Sequence, residues 1–139
     1  MKQIFIVIAA CLLSISASAQ IKKFRDIIGT WEIAGEQNAG ASLQIIDSST
    51  IVLTYMGERK NITDYKIDFT KSPIWFDFSA KDSISTLQVK SLLQIFGDDT
   101  IKWQLFVDED RPGHFSSSKG ELFYLKRSKS NSVTAVVNN

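Results

Sequence analysis

Cysteine, histidine and an excess of either charge are what this chain lacks, and each scarcity removes a class of function. It has one cysteine, Cys11, and one histidine, His114, among 139 residues. A lone thiol forms no internal disulfide, so the disulfide-stapled class of small exported domains is excluded. One histidine without a partnering cysteine makes no zinc site. The acidic runs Asp98-Asp99 and Asp108-Glu109-Asp110 lack the spaced ligands of a calcium loop, so no metal is expected. Lys and Arg number 16 against 15 Asp and Glu, which gives charge alone no means of drawing the chain to nucleic acid or an anionic bilayer. There is no glycine-rich phosphate loop, and no haem ligand set extends beyond His114, so no cofactor is expected.

The one long apolar run stands at the start. Met1-Lys2-Gln3 precedes Ile4 to Leu13, and Ser14 to Gln20 follows with the small-x-small site Ala17-Ser18-Ala19, the layout of a secretory signal. The run is shorter than the roughly 17 to 25 residues of a spanning helix, so no membrane span is expected. Ile8-Ala9-Ala10-Cys11 also resembles a lipoprotein box, which would lipidate Cys11 and make it the first mature residue. That alternative shortens the apolar region to Ile4–Ala10 and leaves Ala17-Ser18-Ala19 without a role. The expected organisation is a signal peptide at 1–19, one domain at 20–127 and a polar tail at 128–139. The product would be periplasmic or secreted, or anchored through Cys11 in the alternative. Cleavage after Ala19 also removes Lys2, leaving 15 basic side chains against 15 acidic ones and no thiol. About 120 residues remain, enough for one core.

Beyond Gly29 the hydrophobic period is two, broken at short intervals by Gly, Asn, Asp, Ser and Pro, an all-β pattern. Strands are expected at Thr30–Gly35, Ala41–Ile46, Thr50–Met56, Asn61–Phe69, Ile74–Ser79, Thr86–Phe96, Thr100–Asp108 and Gly120–Arg127. Asp47-Ser48-Ser49, Gly57-Glu58-Arg59-Lys60, Lys71-Ser72-Pro73 and Gly97-Asp98-Asp99 supply hairpin chemistry. Short connections favour sequential neighbours, so the fold class is an up-and-down antiparallel β-barrel of about eight strands. The amphipathic run Ile21–Ile28 ahead of it reads as a short N-terminal helix. Gly29, two residues before Trp31, lets the backbone turn tightly into the first strand and sets the indole as a plug in the barrel floor.

Alternation sorts the faces. Ile101, Trp103, Leu105 and Val107 share the inward face of one strand; Lys102, Gln104 and Asp108 face out with Phe106 as an exception. Tyr65, Ile67 and Phe69 point in, as do Ile74, Phe76 and Phe78, with Trp75 and Asp77 outward. The inner wall is thus aromatic. Either the rings fill the barrel as its core, or they line an apolar pocket; an eight-stranded barrel accommodates both. For a pocket, the lining candidates are Tyr55, Tyr65, Phe76, Phe78, Trp103 and, folding back from a loop, Phe115.

Gly29-Thr30-Trp31 after a short helix resembles the GxW signature of the lipocalin superfamily. Arg127 at the end of the last strand stands where those proteins place a basic residue across that tryptophan. The resemblance implies that Gly29, Trp31 and Arg127 form a structural signature, closed by a cation–π contact. Tyr65–Pro73, Gly97–Trp103, Arg111–Phe115 and Leu122–Arg127 further resemble the secreted lipocalin-like domains of several bacterial phyla, for which no activity is established. The chain is shorter than a typical lipocalin and shows neither a second nor a third signature block.

Catalytic chemistry is sparse. His114 lies in the longest connection, Glu109–Lys119, beside Asp110, Arg111 and Ser116 to Ser118, but closeness in sequence gives no triad geometry. Asn61-Ile62-Thr63 has the form of a glycosylation sequon and carries no meaning in a bacterial exported protein. The loops at Gly57–Lys60 and Arg111–Phe115 are candidates for controlling access to one barrel end. The expected function is an exported, non-catalytic lipocalin-like protein binding a small hydrophobic molecule inside the barrel. The alternative is a structural or protein-interaction module with a filled core, recognising a protein partner through loops or outer surface, for which exposed Trp75 and Phe106 would be the mark.

Overall fold

The period-two segments form eight strands: β1 (Gly29–Ile33), β2 (Ser42–Asp47), β3 (Thr50–Tyr55), β4 (Glu58–Asp68), β5 (Ile74–Lys81), β6 (Thr86–Phe96), β7 (Thr100–Val107) and β8 (Glu121–Arg127). The structure, a computed structural model, describes residues 22–34, 41–55, 57–81 and 84–129. The expected signal segment 1–19, Cys11 within it, and the tail beyond Lys129 lie outside the described residues. Each strand pairs antiparallel with the next, and β8 returns to β1 through Trp31↔Arg127, Glu32↔Lys126 and Ile33↔Leu125, closing an up-and-down barrel.

Turn chemistry sets the reversals. The Asp47 carboxylate accepts the Ser49 N–H at 2.8 Å, and Asp68 accepts both the Thr70 N–H at 3.0 Å and its hydroxyl at 2.6 Å. The Thr70 bonds, its hydroxyl first, hold the Asp68 carboxyl below its ordinary pKa. One reversal is tighter than the composition implied. Glu58, Arg59 and Lys60 belong to β4 rather than to a loop, paired with Tyr55, Thr54 and Leu53.

A single helical turn, α1 (Phe24–Ile27), crosses one end of the barrel as a floor. Ile27 and Trp31 are completely buried there, and the Trp31 indole N–H donates to the Ile27 carbonyl at 2.9 Å. The turns after β2, β4 and β6 share this end. The far end carries the hairpin at Gly57 and the long connection from β7 to β8.

That connection covers two outward aromatic residues. Phe106 points outward but is 0% exposed, and Trp75 is partly covered, so neither is the exposed aromatic that would mark the protein-interaction alternative. Residues 108–120 lie across β5, β6 and β7 as a strap, burying Leu92, Gln104 and Phe106 beneath them in a second, smaller layer outside the barrel. Val107, assigned to the inward row, is 45% exposed because it ends β7 at the far rim.

Candidate functional site

The aromatic residues of the barrel interior meet one another. Phe76 lies 5.1 Å from Phe78 and 5.9 Å from Trp103 between ring centroids, Phe78 and Trp103 are also 5.9 Å apart, and Tyr65 stands edge-on to Phe76 at 6.1 Å. These separations are those of mutually packed rings. One polar residue completes the set. Ser91 is fully buried on the inward face of β6; its hydroxyl accepts the Trp103 indole N–H at 2.8 Å and donates to the Phe76 carbonyl. The β5–β6 ladder skips from Trp75↔Leu92 to Phe78↔Val89, and the serine hydroxyl serves the Phe76 carbonyl within that gap. Ser91 was missed from sequence, although it is the one polar side chain in the inward series Val89, Ser91, Leu93, Ile95.

One recess between inward side chains, of about 20 Å³, lies between Leu53, Tyr55, Trp103, Leu105 and Phe123, near the far end. That is room for about one water, against roughly 300 to 1,000 Å³ for small-molecule pockets. Above it the strand pairing Tyr55↔Glu58, Leu53↔Lys60 and Leu105↔Glu121 turns a charged collar inward. The Tyr55 ring meets Phe123 edge-on at 6.5 Å, and its hydroxyl donates to the Glu121 carboxylate at 3.3 Å. That negative charge raises the Tyr55 pKa above the ordinary tyrosine value. Lys60 and Glu58 stand 4.0 Å apart.

Of the six ligand-lining candidates, the fold brings Tyr65, Phe76, Phe78 and Trp103 together and sets Tyr55 at the collar. Phe115 stands apart on the outer wall, its ring 4.3 Å from the Lys102 ammonium, which also lies 5.9 Å from Tyr124. The strap that carries Phe115 runs outside the barrel rather than over its end.

Gly29, Trp31 and Arg127 converge at the floor. The Arg127 guanidinium lies 4.2 Å above the Trp31 ring and donates to three backbone carbonyls: Asp98 at 2.8 Å, Asp26 at 3.0 Å, and Ile28. One side chain therefore joins the end of α1, the β6–β7 turn and the indole. Gly29 has φ +141°, and a Cβ there would stand 2.6 Å from Arg127 Nη1. Only glycine tolerates both the backbone conformation and that approach.

The larger hollows lie outside the wall. One of about 310 Å³ is lined by Gln88, Lys90, Asp108, Glu109 and Asp110; a neighbour of about 220 Å³ reaches Asp64, Lys66, Asp77 and Ser79. Lys90 bonds Asp110 at 3.0 Å and holds its carboxyl below the ordinary range. His114 is exposed, and the hydrogen bonds of Ser116 and Ser118 close the strap on itself and onto Gln104 rather than reaching that histidine. Among the described residues no group of three or more His, Cys, Asp and Glu is placed to hold a metal, and no helix is long and apolar enough to cross a membrane. Comparison of the chain with protein-family models, curated proteins and solved structures found no match.

Proposed function

We propose that the chain is an exported, non-catalytic, lipocalin-like barrel that serves as a filled structural scaffold rather than as a carrier of a small apolar molecule. The observation that carries this reading is the joined set Phe76, Phe78 and Trp103, with centroids 5.1 to 5.9 Å apart, where a ligand would have to sit. A drug-sized apolar molecule would have to part those rings and leave Trp103 without its Ser91 acceptor, losing packing and a buried hydrogen bond together. The lipocalin-like part of the reading is supported by the eight-stranded meander, the helical turn at the floor and Arg127 over Trp31. Export rests on the signal-like pattern of residues 1–19.

The test is whether the purified chain holds or takes up an apolar molecule. Solvent extracts analysed by mass spectrometry are expected to contain none in stoichiometric amount, and dodecanoate and 1-anilinonaphthalene-8-sulfonate are expected to show no saturable one-to-one binding. A stoichiometric apolar molecule, or saturable binding that shifts tryptophan emission, would overturn the filled-scaffold reading in favour of the small-molecule binder.

A further inference from the structure

The barrel and the strap that crosses it are held by different kinds of bond. Strand pairs in the wall are backbone ladders; β6 and β7 alone match eight residues, from Val89↔Val107 to Phe96↔Thr100. The strap contains no ladder. Its entry at Asp108 makes one backbone bond, from the Asp108 N–H to the Gln88 carbonyl at 3.0 Å, and its attachments to the wall after that run through side chains. The buried Gln104 amide is the central one: Oε1 accepts the Ser116 N–H at 2.8 Å, while Nε2 donates to the carbonyls of Ser116 at 2.8 Å and Lys119 at 2.9 Å. Arg111 is the second, stacked 3.8 Å over Trp75 and ion-paired with Asp77. Lys90 with Asp110 is a third, at the surface.

The chain also leaves and rejoins the sheet at two sharply localised points. Asp108 has φ +53° and Gly120 φ +72°, both left-handed, so the change of direction is confined to one residue at each end. Gly120 sits where a Cβ would lie 2.6 Å from the Phe106 ring and 2.8 Å from the Leu105 carbonyl, which seats the strap's end directly on the face it covers.

From this we infer that residues 108–120 form a detachable cover: the strap lifts from the outer wall as one unit while the barrel beneath stays closed, uncovering the face of Trp75, Leu92 and Phe106. Side-chain attachments release without breaking any rung of the wall, whereas the ladders open only with the barrel. The device is independent of whether the barrel interior is filled.

Native-state hydrogen exchange on the full chain tests it, comparing the bonded strap amides of Ser116 and Lys119 with the ladder amides of β6 and β7 under increasing denaturant. The strap amides are expected to exchange together, ahead of the ladder, with a shared and smaller denaturant dependence. Gln104→Ala is expected to speed the strap amides by at least about tenfold, the scale of a lost buried hydrogen bond, while the β1–β2 ladder keeps its rate. If that variant fails to fold, Asp77→Asn removes the Arg111 ion pair from the surface side and is read in the same way. Strap amides exchanging only with the ladder, or both sets accelerating equally in the variant, would show that strap and barrel open as one and overturn the inference.

Discussion

Two arginines in this molecule lie over two tryptophans, Arg127 over Trp31 at 4.2 Å and Arg111 over Trp75 at 3.8 Å, yet the pairs do different work. At the floor the indole is 0% exposed and its N–H is bonded to the Ile27 carbonyl, while the guanidinium donates hydrogen bonds to backbone carbonyls of α1 and the β6–β7 turn. On the outer wall the indole is half-buried, and the guanidinium, 8% exposed, pairs with Asp77, whose side chain is 38% exposed. Carbonyls of the main chain cannot swing away, whereas a surface carboxylate can. The same contact therefore locks secondary structure in one place and clips a loop in the other.

The largest break in that comparison is Trp31→Ala. Removing a fully buried indole from the floor should cost about 3 to 5 kcal/mol of unfolding free energy, read by chemical denaturation, because the surrounding strands cannot collapse into the gap. A near-neutral result would mean that α1 and the floor turns contribute little to the closed barrel.

Arg127→Met sharpens it. Methionine keeps an apolar stem beneath which the indole stays covered, so from the sequence alone this change should cost far less than loss of the tryptophan. The three carbonyl bonds change that expectation. Losing a guanidinium that serves Asp98, Asp26 and Ile28, together with the cation–π contact, should cost about 2 to 4 kcal/mol, discounted for water that can reach the more exposed carbonyls. Denaturation of Arg127→Lys separates the two contributions, since lysine keeps the charge but lacks the fork. A loss similar to that of the methionine variant would place the effect in the carbonyl bonds.

What was legible in the sequence tracks which side chains obey a simple period. The strands were readable because inward residues recur every second position between turn residues, and the floor because Trp31 and Arg127 mark the start of the first strand and the end of the last. The outer layer was not. Leu92, Gln104 and Phe106 occupy outward positions, and what buries them is a segment without periodicity, so alternation assigned Gln104 to solvent and left Phe106 as an exception. Ser91 was hidden for the converse reason: an inward serine looks like a defect in an apolar row until its two partners, Trp103 and the Phe76 carbonyl, are known. Interior volume depends on rotamers and ring angles that spacing does not carry, so alternation alone is compatible with either a pocket or a core.

The smallest expected effect decides whether the two arginine pairs truly differ. Arg111→Met removes a cation from Trp75 and breaks the ion pair with Asp77, but the stem still shields the ring and Asp77 is free to hydrate. Arg111 is 8% exposed, but the 38% exposed Asp77 can hydrate once the cation is gone, so global stability should fall by about 1 to 2 kcal/mol, less than for Arg127→Met, and part of the difference from the parent chain should shrink as salt screens the pair. The exposed Lys90–Asp110 contact has a defined pH sign. Lys90 holds the Asp110 carboxyl below the ordinary value, so what the contact contributes is present above the usual carboxylate range and disappears as pH falls through the depressed pKa. Denaturation of Arg111→Met at low and high salt is the measurement. A loss as large as that of Arg127→Met, insensitive to salt, would make the outer clip equivalent to the floor lock and would bind the strap into the barrel's own unfolding unit. A small, salt-dependent loss leaves the barrel closed by its ladders and its floor, with the strap secured on the outer wall by contacts that can be undone separately.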